Sequence, residues 1–248
     1  MKKILLGLAG LIALAAPASA ADMAAAPYSK APPQMIAVVY DWSGFYVGLN
    51  GGWGSSRKCW DNYVAGVFVA SEGCHNATGG VAGGQIGYRW QAGAFVFGLE
   101  AQGDWADLRG RNVSVLTPAN TDQSKINAFG LFTGQVGYAF NNVLLYAKGG
   151  AAVTADRFAV YNTATNVLLT TTTSDTRWGG VAGVGLEFGF SPNWTAAVEY
   201  DHMFMGNRTY NFLTPAAVAF GTDRIKQDVD LVTVRVNYHW GGPIVARY

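Results

Sequence analysis

The chain has 248 residues, 13% of them charged and 13% aromatic, with 32 glycines. The charged fraction is about half that of an ordinary soluble domain, and no internal run is long and apolar enough for a membrane helix. The formal net charge is +1 and becomes −1 once Lys2 and Lys3 leave with the leader described below. Nothing in that balance points to a nucleic-acid partner.

Lys2 and Lys3 precede an apolar run from Ile4 to Ala16, and Pro17 and Ala18-Ser19-Ala20 follow it. A positive start, a short apolar core and an A-x-A site define a cleaved secretory signal over residues 1–20. Residues 21–41 hold Pro27, Pro32 and Pro33 among alanines and read as a mobile periplasmic arm. Residues 42–248 form the remaining domain.

From Trp42 the chain alternates with a period of two, which sends successive side chains to opposite faces of a strand. Phe45, Val47, Leu49, Gly51 and Trp53 alternate with Gly44, Tyr46, Gly48, Asn50 and Gly52. Similar runs cover Gly79–Trp90, Phe95–Asp107, Lys125–Phe140, Val143–Arg157, Thr176–Phe190, Trp194–Met205 and Asp228–Trp240. Tight turns are predicted at Gln91–Ala94, Asn141–Asn142 and Ser191–Asn193. Between the other runs lie longer polar segments, predicted as loops: Ser55–Thr78, a stretch ending near Ser124, Phe158–Asp175 and Gly206 to about Lys226. Two of these loops carry apolar stretches, Val64–Ala70 and Asn211–Phe220, which read as strand extensions above a membrane, with contact patches for a partner as the alternative. Cys59 and Cys74 share the first loop, and in an exported chain they are expected to form a disulfide.

Eight strands with alternating long and short connections fit an all-β, antiparallel, up-and-down transmembrane barrel with short periplasmic turns and long outer loops. Closure, with the last strand beside the first, would leave no unpaired edge for lipid to meet. Aromatics on the more apolar face cluster at two levels. Trp90, Trp194, Tyr238 and Trp240 lie at the short-turn end, and Trp53, Trp105 and Trp178 at the loop end. Two such rims around a band of Ala, Gly, Val and Leu form interfacial girdles. The apolar face is therefore assigned to lipid. The inverse assignment, a lipocalin-like soluble barrel, gives aromatics no reason to gather at both rims. Arg89, Glu100, Lys148, Glu187, Glu199 and Arg235 then face the interior, where opposite charges would pair.

No catalytic constellation stands out. His202 is the one plausible base, with no serine at short spacing, and His239 lies at the short-turn end. His75 reads as an exposed loop histidine, too isolated for a metal site. The chain is expected not to be an enzyme and to carry no cofactor.

The motifs Trp42-Ser43-Gly44-Phe45-Tyr46-Val47-Gly48, Gly84-Gln85-Ile86-Gly87-Tyr88, Gly134-Gln135-Val136-Gly137-Tyr138, Tyr146-Ala147-Lys148-Gly149-Gly150, Gly185-Leu186-Glu187 and Val234-Arg235-Val236-Asn237-Tyr238 resemble the alphaproteobacterial outer-membrane immunogenic proteins. These are porin-superfamily barrels of the small OmpA and OmpX type. The resemblance implies an antigenic surface protein of the Gram-negative outer membrane with a role in envelope integrity. Its surroundings would be the lipid bilayer and lipopolysaccharide, and the outer-membrane assembly machinery would read its terminal aromatic. Trp240 is taken as the last membrane-crossing position, ahead of the tail that contains Pro243. Some relatives are linked to haem, so loop-mediated ligand binding stands as one alternative and a small porin-like channel as another. The oligomeric state is open.

Overall fold

A computed structural model describes residues 40–171, 175–213 and 219–240. The leader, nearly all of the arm and the tail beyond Trp240 lie outside these residues. Nine strands are described: β1 (Gly44–Val64), β2 (Val67–Ala92), β3 (Phe95–Val113), β4 (Asn120–Phe140), β5 (Val143–Asn162), β6 (Leu168–Thr171), β7 (Asp175–Ser191), β8 (Trp194–Leu213) and β9 (Ala219–Trp240). Eight of them close a ring in the order β1-β2-β3-β4-β5-β7-β8-β9, every neighbour antiparallel. The short β6 pairs only with the far end of β5 among the described residues. The closing pair runs from Phe45 opposite Trp240 to Tyr63 opposite Thr222, so the first strand finds the last as expected.

The three tight turns are at the predicted places. Two-residue connections at Gly93-Ala94, Asn141-Asn142 and Pro192-Asn193 join β2 to β3, β4 to β5 and β7 to β8. Asn141 has a φ of 56° and Gly93 one of 64°, left-handed values that Gly and Asn adopt more readily than other residues.

At the other end the structure corrects the sequence reading. Much of what was predicted as long loops is strand. β1 and β2 pair to Val64 opposite Val67, across a two-residue turn of Ala65 and Gly66. The third and fourth strands likewise pair as far as Val113 opposite Thr121. The reason is a change of solvent outside the barrel, not a change of backbone. Beyond Trp53 the outward positions of β1 become Ser55, Arg57 and Cys59, while the inward positions Ser56, Lys58 and Trp60 stay buried. The apolar-outward signature ends at the membrane surface, but the barrel continues.

The membrane level follows from the outer face. Phe45 and Trp53, the outward aromatics that bound the apolar part of β1, are eight residues apart. At ~3.3 Å per residue and a tilt of about 40° that is roughly 20 Å along the membrane normal, near the usual apolar band of about 25 Å. Leu49, midway, is 74% exposed, and Trp53, Trp105 and Trp178 are all at least 60% exposed. Outside a bilayer such a surface would be untenable. Above Trp53, β1 continues for another eleven residues to Val64, so the barrel stands on the order of 25–30 Å clear of the apolar band.

Candidate functional site

The inward side chains fill the barrel in alternating layers. At the periplasmic end Tyr40, Trp42, Val96, Leu144 and Tyr146 form an apolar plug. Trp42 is fully buried there; its indole donates to the Asn141 carbonyl at 3.0 Å, and its backbone N–H donates to Gln91 Oε1 at 2.9 Å. The last residues of the expected mobile arm thus continue into the barrel floor: Tyr40 is buried, and its ring packs 4.7 Å from that of Trp42. Sequence reasoning missed this. The signal was the pair Tyr40 and Trp42, two positions apart and on the parity of Tyr46.

Above the plug lies a charge network. The structure places all six predicted interior charges in it, each nearly or fully buried. Arg235 bridges Glu100 and Glu199. Lys148 contacts Glu199 at 2.7 Å, Asp201 at 3.2 Å and Glu100 at 3.6 Å. Arg89 pairs with Glu187 at 2.8 Å and lies over the Tyr46 ring at 4.5 Å. The Tyr46 and Tyr146 hydroxyls donate to Glu100 and Glu199, each at 2.6 Å. Both tyrosine rings lie flat against the wall because the strand opposite is glycine there. A Cβ on Gly87 or Gly185 would overlap the Tyr46 or Tyr146 ring. Asp104 and Asp201 join the layer, and so does His239, stacked 5.4 Å from Tyr46. All three lie on the inward parity, which is the signal that could have found them.

A second apolar layer follows, including Leu108, Ile126, Phe129, Leu131, Met203, Val229 and Leu231. Above it Lys58 pairs with Asp156 at 2.7 Å, both fully buried, and Arg177 donates to the carbonyls of Met205, Gly206 and Ile225. A third apolar layer of Trp60, Phe158, Val160, Tyr210, Phe212 and Ile225 closes over that pair. Lys58 and the third apolar layer lie above the membrane, where the sequence reading had placed loops. Cys59 and Cys74 are directly opposite in register on β1 and β2 and are joined by a disulfide.

At the extracellular mouth Glu72, Asp122 and Asp223 converge from β2, β4 and β9. Asn62 donates to Asp223 at 3.0 Å, and Glu72 and Asp122 are close enough to affect each other's protonation. Burial, followed by the charge of its neighbours, raises Glu72 to about 7 and Asp122 to about 8, while burial raises Asp223 to about 6. Each folded-state value exceeds the ordinary one, so the folded state holds protons that the unfolded chain has lost. The contribution of these three groups to stability is fully present below about pH 4 and is lost as pH rises through about 6 to 8. Protection factors of the upper strands, with the intrinsic rise of exchange with pH divided out, should fall across that window. Asp122→Asn should flatten the trend, and an unchanged slope in that variant would contradict the raised carboxyl at Asp122.

The histidines correct the sequence reading in one case. His75 is not on an exposed loop. It sits on β2 opposite Lys58, half-buried, 3.1 Å from Ser124 Oγ. Burial and the charge of Lys58 lower it to about 4, so it is neutral. His202 faces outward, with Nδ1 2.7 Å from Asp230. Among the described residues no group of three or more His, Cys, Asp and Glu side chains could hold a metal ion.

A closed antiparallel ring, a lipid-compatible belt between aromatic rims and a polar interior define an outer-membrane β-barrel protein. The chain belongs to the outer membrane protein beta-barrel domain family, whose family model matches residues 6–240. It is similar to a 22 kDa outer membrane protein of Rhizobium leguminosarum bv. viciae, 28% identical over 175 residues, 68% of this chain and 67% of that one. Among solved structures it is similar to the outer membrane protein OprG of Pseudomonas aeruginosa, with 12% identity, a TM-score of 0.47 and coverage of 80% of this chain and 97% of that one. It is also similar to Ail, the attachment invasion locus protein of Yersinia pestis, with 14% identity, a TM-score of 0.37 and coverage of 79% and 99%. The protein is located in the outer membrane.

Proposed function

We propose that this barrel is a structural, surface-exposed, non-enzymatic component of the outer membrane. It contributes to envelope integrity and presents a rigid extracellular extension that contacts the outer leaflet and its lipopolysaccharide. The observation that carries this reading is the layered interior. Three apolar layers interrupt the lumen, and most charges in the layers between them are paired. An eight-stranded barrel is just wide enough for its side chains to fill it, and on this reading the layers carry no continuous water column for ions.

Planar-bilayer recording of the refolded protein tests this against the channel alternative. The expected result is an electrically silent barrel. Steady ohmic steps that persist at low voltage would overturn the structural reading and favour a small channel.

A further inference from the structure

Just above the outer aromatic level, the outward charges are unevenly distributed around the barrel. On β3, β4 and β5 three cations are direct cross-strand neighbours: Arg109 is paired with Lys125, and Lys125 with Arg157. All three face outward, because the residues on either side of them in each strand point into the barrel. Like charges directly opposite one another destabilise a sheet, so the row is not there for the fold. Among the described residues Asp107 is the only acid within ion-pair distance of it, 2.7 Å from Arg109 and 3.4 Å from Lys125. Arg157 has no ion-pair partner among the described residues. Across the barrel the signs are mixed: Asp230 faces His202 at 2.7 Å, Lys226 lies 3.9 Å from Asp228, and Arg57 is paired with Asp228.

Depth selects the partner. Arg109 is four residues beyond Trp105 on the same face of β3, roughly 10 Å above the aromatic level at ~3.3 Å per residue and a tilt of about 40°. That is headgroup depth, not open water. Strands about 4.8 Å apart make the row roughly 10 Å wide, the width of one headgroup with two phosphates.

We infer that Arg109, Lys125 and Arg157 form a binding row for the phosphate groups of an anionic outer-leaflet glycolipid. This deepens the proposed outer-leaflet contact and rests on it. Guanidinium and ammonium groups spaced along a rigid sheet make charge-assisted hydrogen bonds to phosphate oxygens. Occupancy also offsets the repulsion within the row, so bound lipid and barrel stabilise each other.

The test uses the refolded full chain in nanodiscs and native mass spectrometry of retained lipid. The probes are a bisphosphorylated lipid A, the same lipid after dephosphorylation, and inorganic phosphate. The expected result is selective retention of the bisphosphorylated lipid, falling about tenfold or more in the triple variant R109Q/K125Q/R157Q. A control triple variant on the opposite flank, R57Q/R224Q/K226Q, should lose less than about twofold. Equal retention of the dephosphorylated lipid by the wild-type barrel would overturn the proposal even if a variant failed to fold. So would equal losses in the two triple variants, or inorganic phosphate competing as well as the lipid does. Conductance in the same preparation separates the two readings. Steady current with phosphate selectivity intact would sink only the structural function, and silence without selectivity would sink only the row.

Discussion

Replacing Arg235 with alanine should lower the unfolding free energy of the refolded barrel by about 3–5 kcal/mol, the usual cost of breaking a buried ion pair from one side. Arg235 is 1% exposed and is the guanidinium shared by Glu100 and Glu199. Without it two buried carboxylates face each other, with Lys148 as their remaining close cation. Lys148 is already engaged with Asp201 at 3.2 Å, so it cannot compensate both. The natural control is Lys226→Ala. That side chain is 62% exposed and 3.9 Å from Asp228, and surface pairs of this kind contribute about 0–1 kcal/mol. Urea unfolding in lipid vesicles measures both. Equal effects would mean that Arg235 is solvated, and the interior assignment would fail. A double-mutant cycle with Glu199→Gln should show coupling, because removing the carboxylate relieves part of the loss.

The second large effect is on the opposite face. Leu49→Arg should cost about 2–4 kcal/mol, and Ser55→Arg about 0–1 kcal/mol. Both are outward positions of β1, six residues apart on the same parity. Leu49 is midway between the Phe45 and Trp53 rims, whereas Ser55 lies just past Trp53. A charge at the first site meets hydrocarbon; at the second it meets headgroups and water. The contrast therefore reads membrane depth and not a general intolerance of arginine in the strand. A neutral Leu49→Arg would place the apolar belt elsewhere, and equal costs at both sites would remove the depth gradient.

The parts of the fold that were legible in the sequence are those where two solvents differ. Inside the bilayer the outward face must be apolar and the inward face can be polar, so Phe45, Val47, Leu49 and Trp53 stand out against Tyr46 and Asn50. The tight turns were legible for a similar reason, because Asn141-Asn142 and Pro192-Asn193 are turn-forming pairs between two patterned runs. Above Trp53 the contrast weakens. Arg57, Lys58, Cys59 and Trp60 give no clean alternation by residue type, because lysine lies inside and a half-buried cysteine lies outside. Lys58 reveals its place only through Asp156, 98 positions away. The carboxyl group of Glu72, Asp122 and Asp223 is likewise assembled by closure from three strands. No local spacing announces it. The predicted interior charges were found by parity, but their partners depend on tilt and shear, which fix who meets whom across the lumen.

The most direct test of the assigned faces and the closed interior is nitroxide accessibility at four single cysteines in the reconstituted barrel. Ala147 and Val198 face outward and are exposed; Thr133 and Thr233 face inward and are buried. The expected result is high accessibility to dissolved oxygen from the bilayer at positions 147 and 198, and low accessibility at 133 and 233 to both oxygen and an aqueous nickel chelate. Strong collision of the nickel chelate with labels at 133 and 233 would show a water-filled lumen, and oxygen contact at those two positions in place of 147 and 198 would invert the barrel's faces.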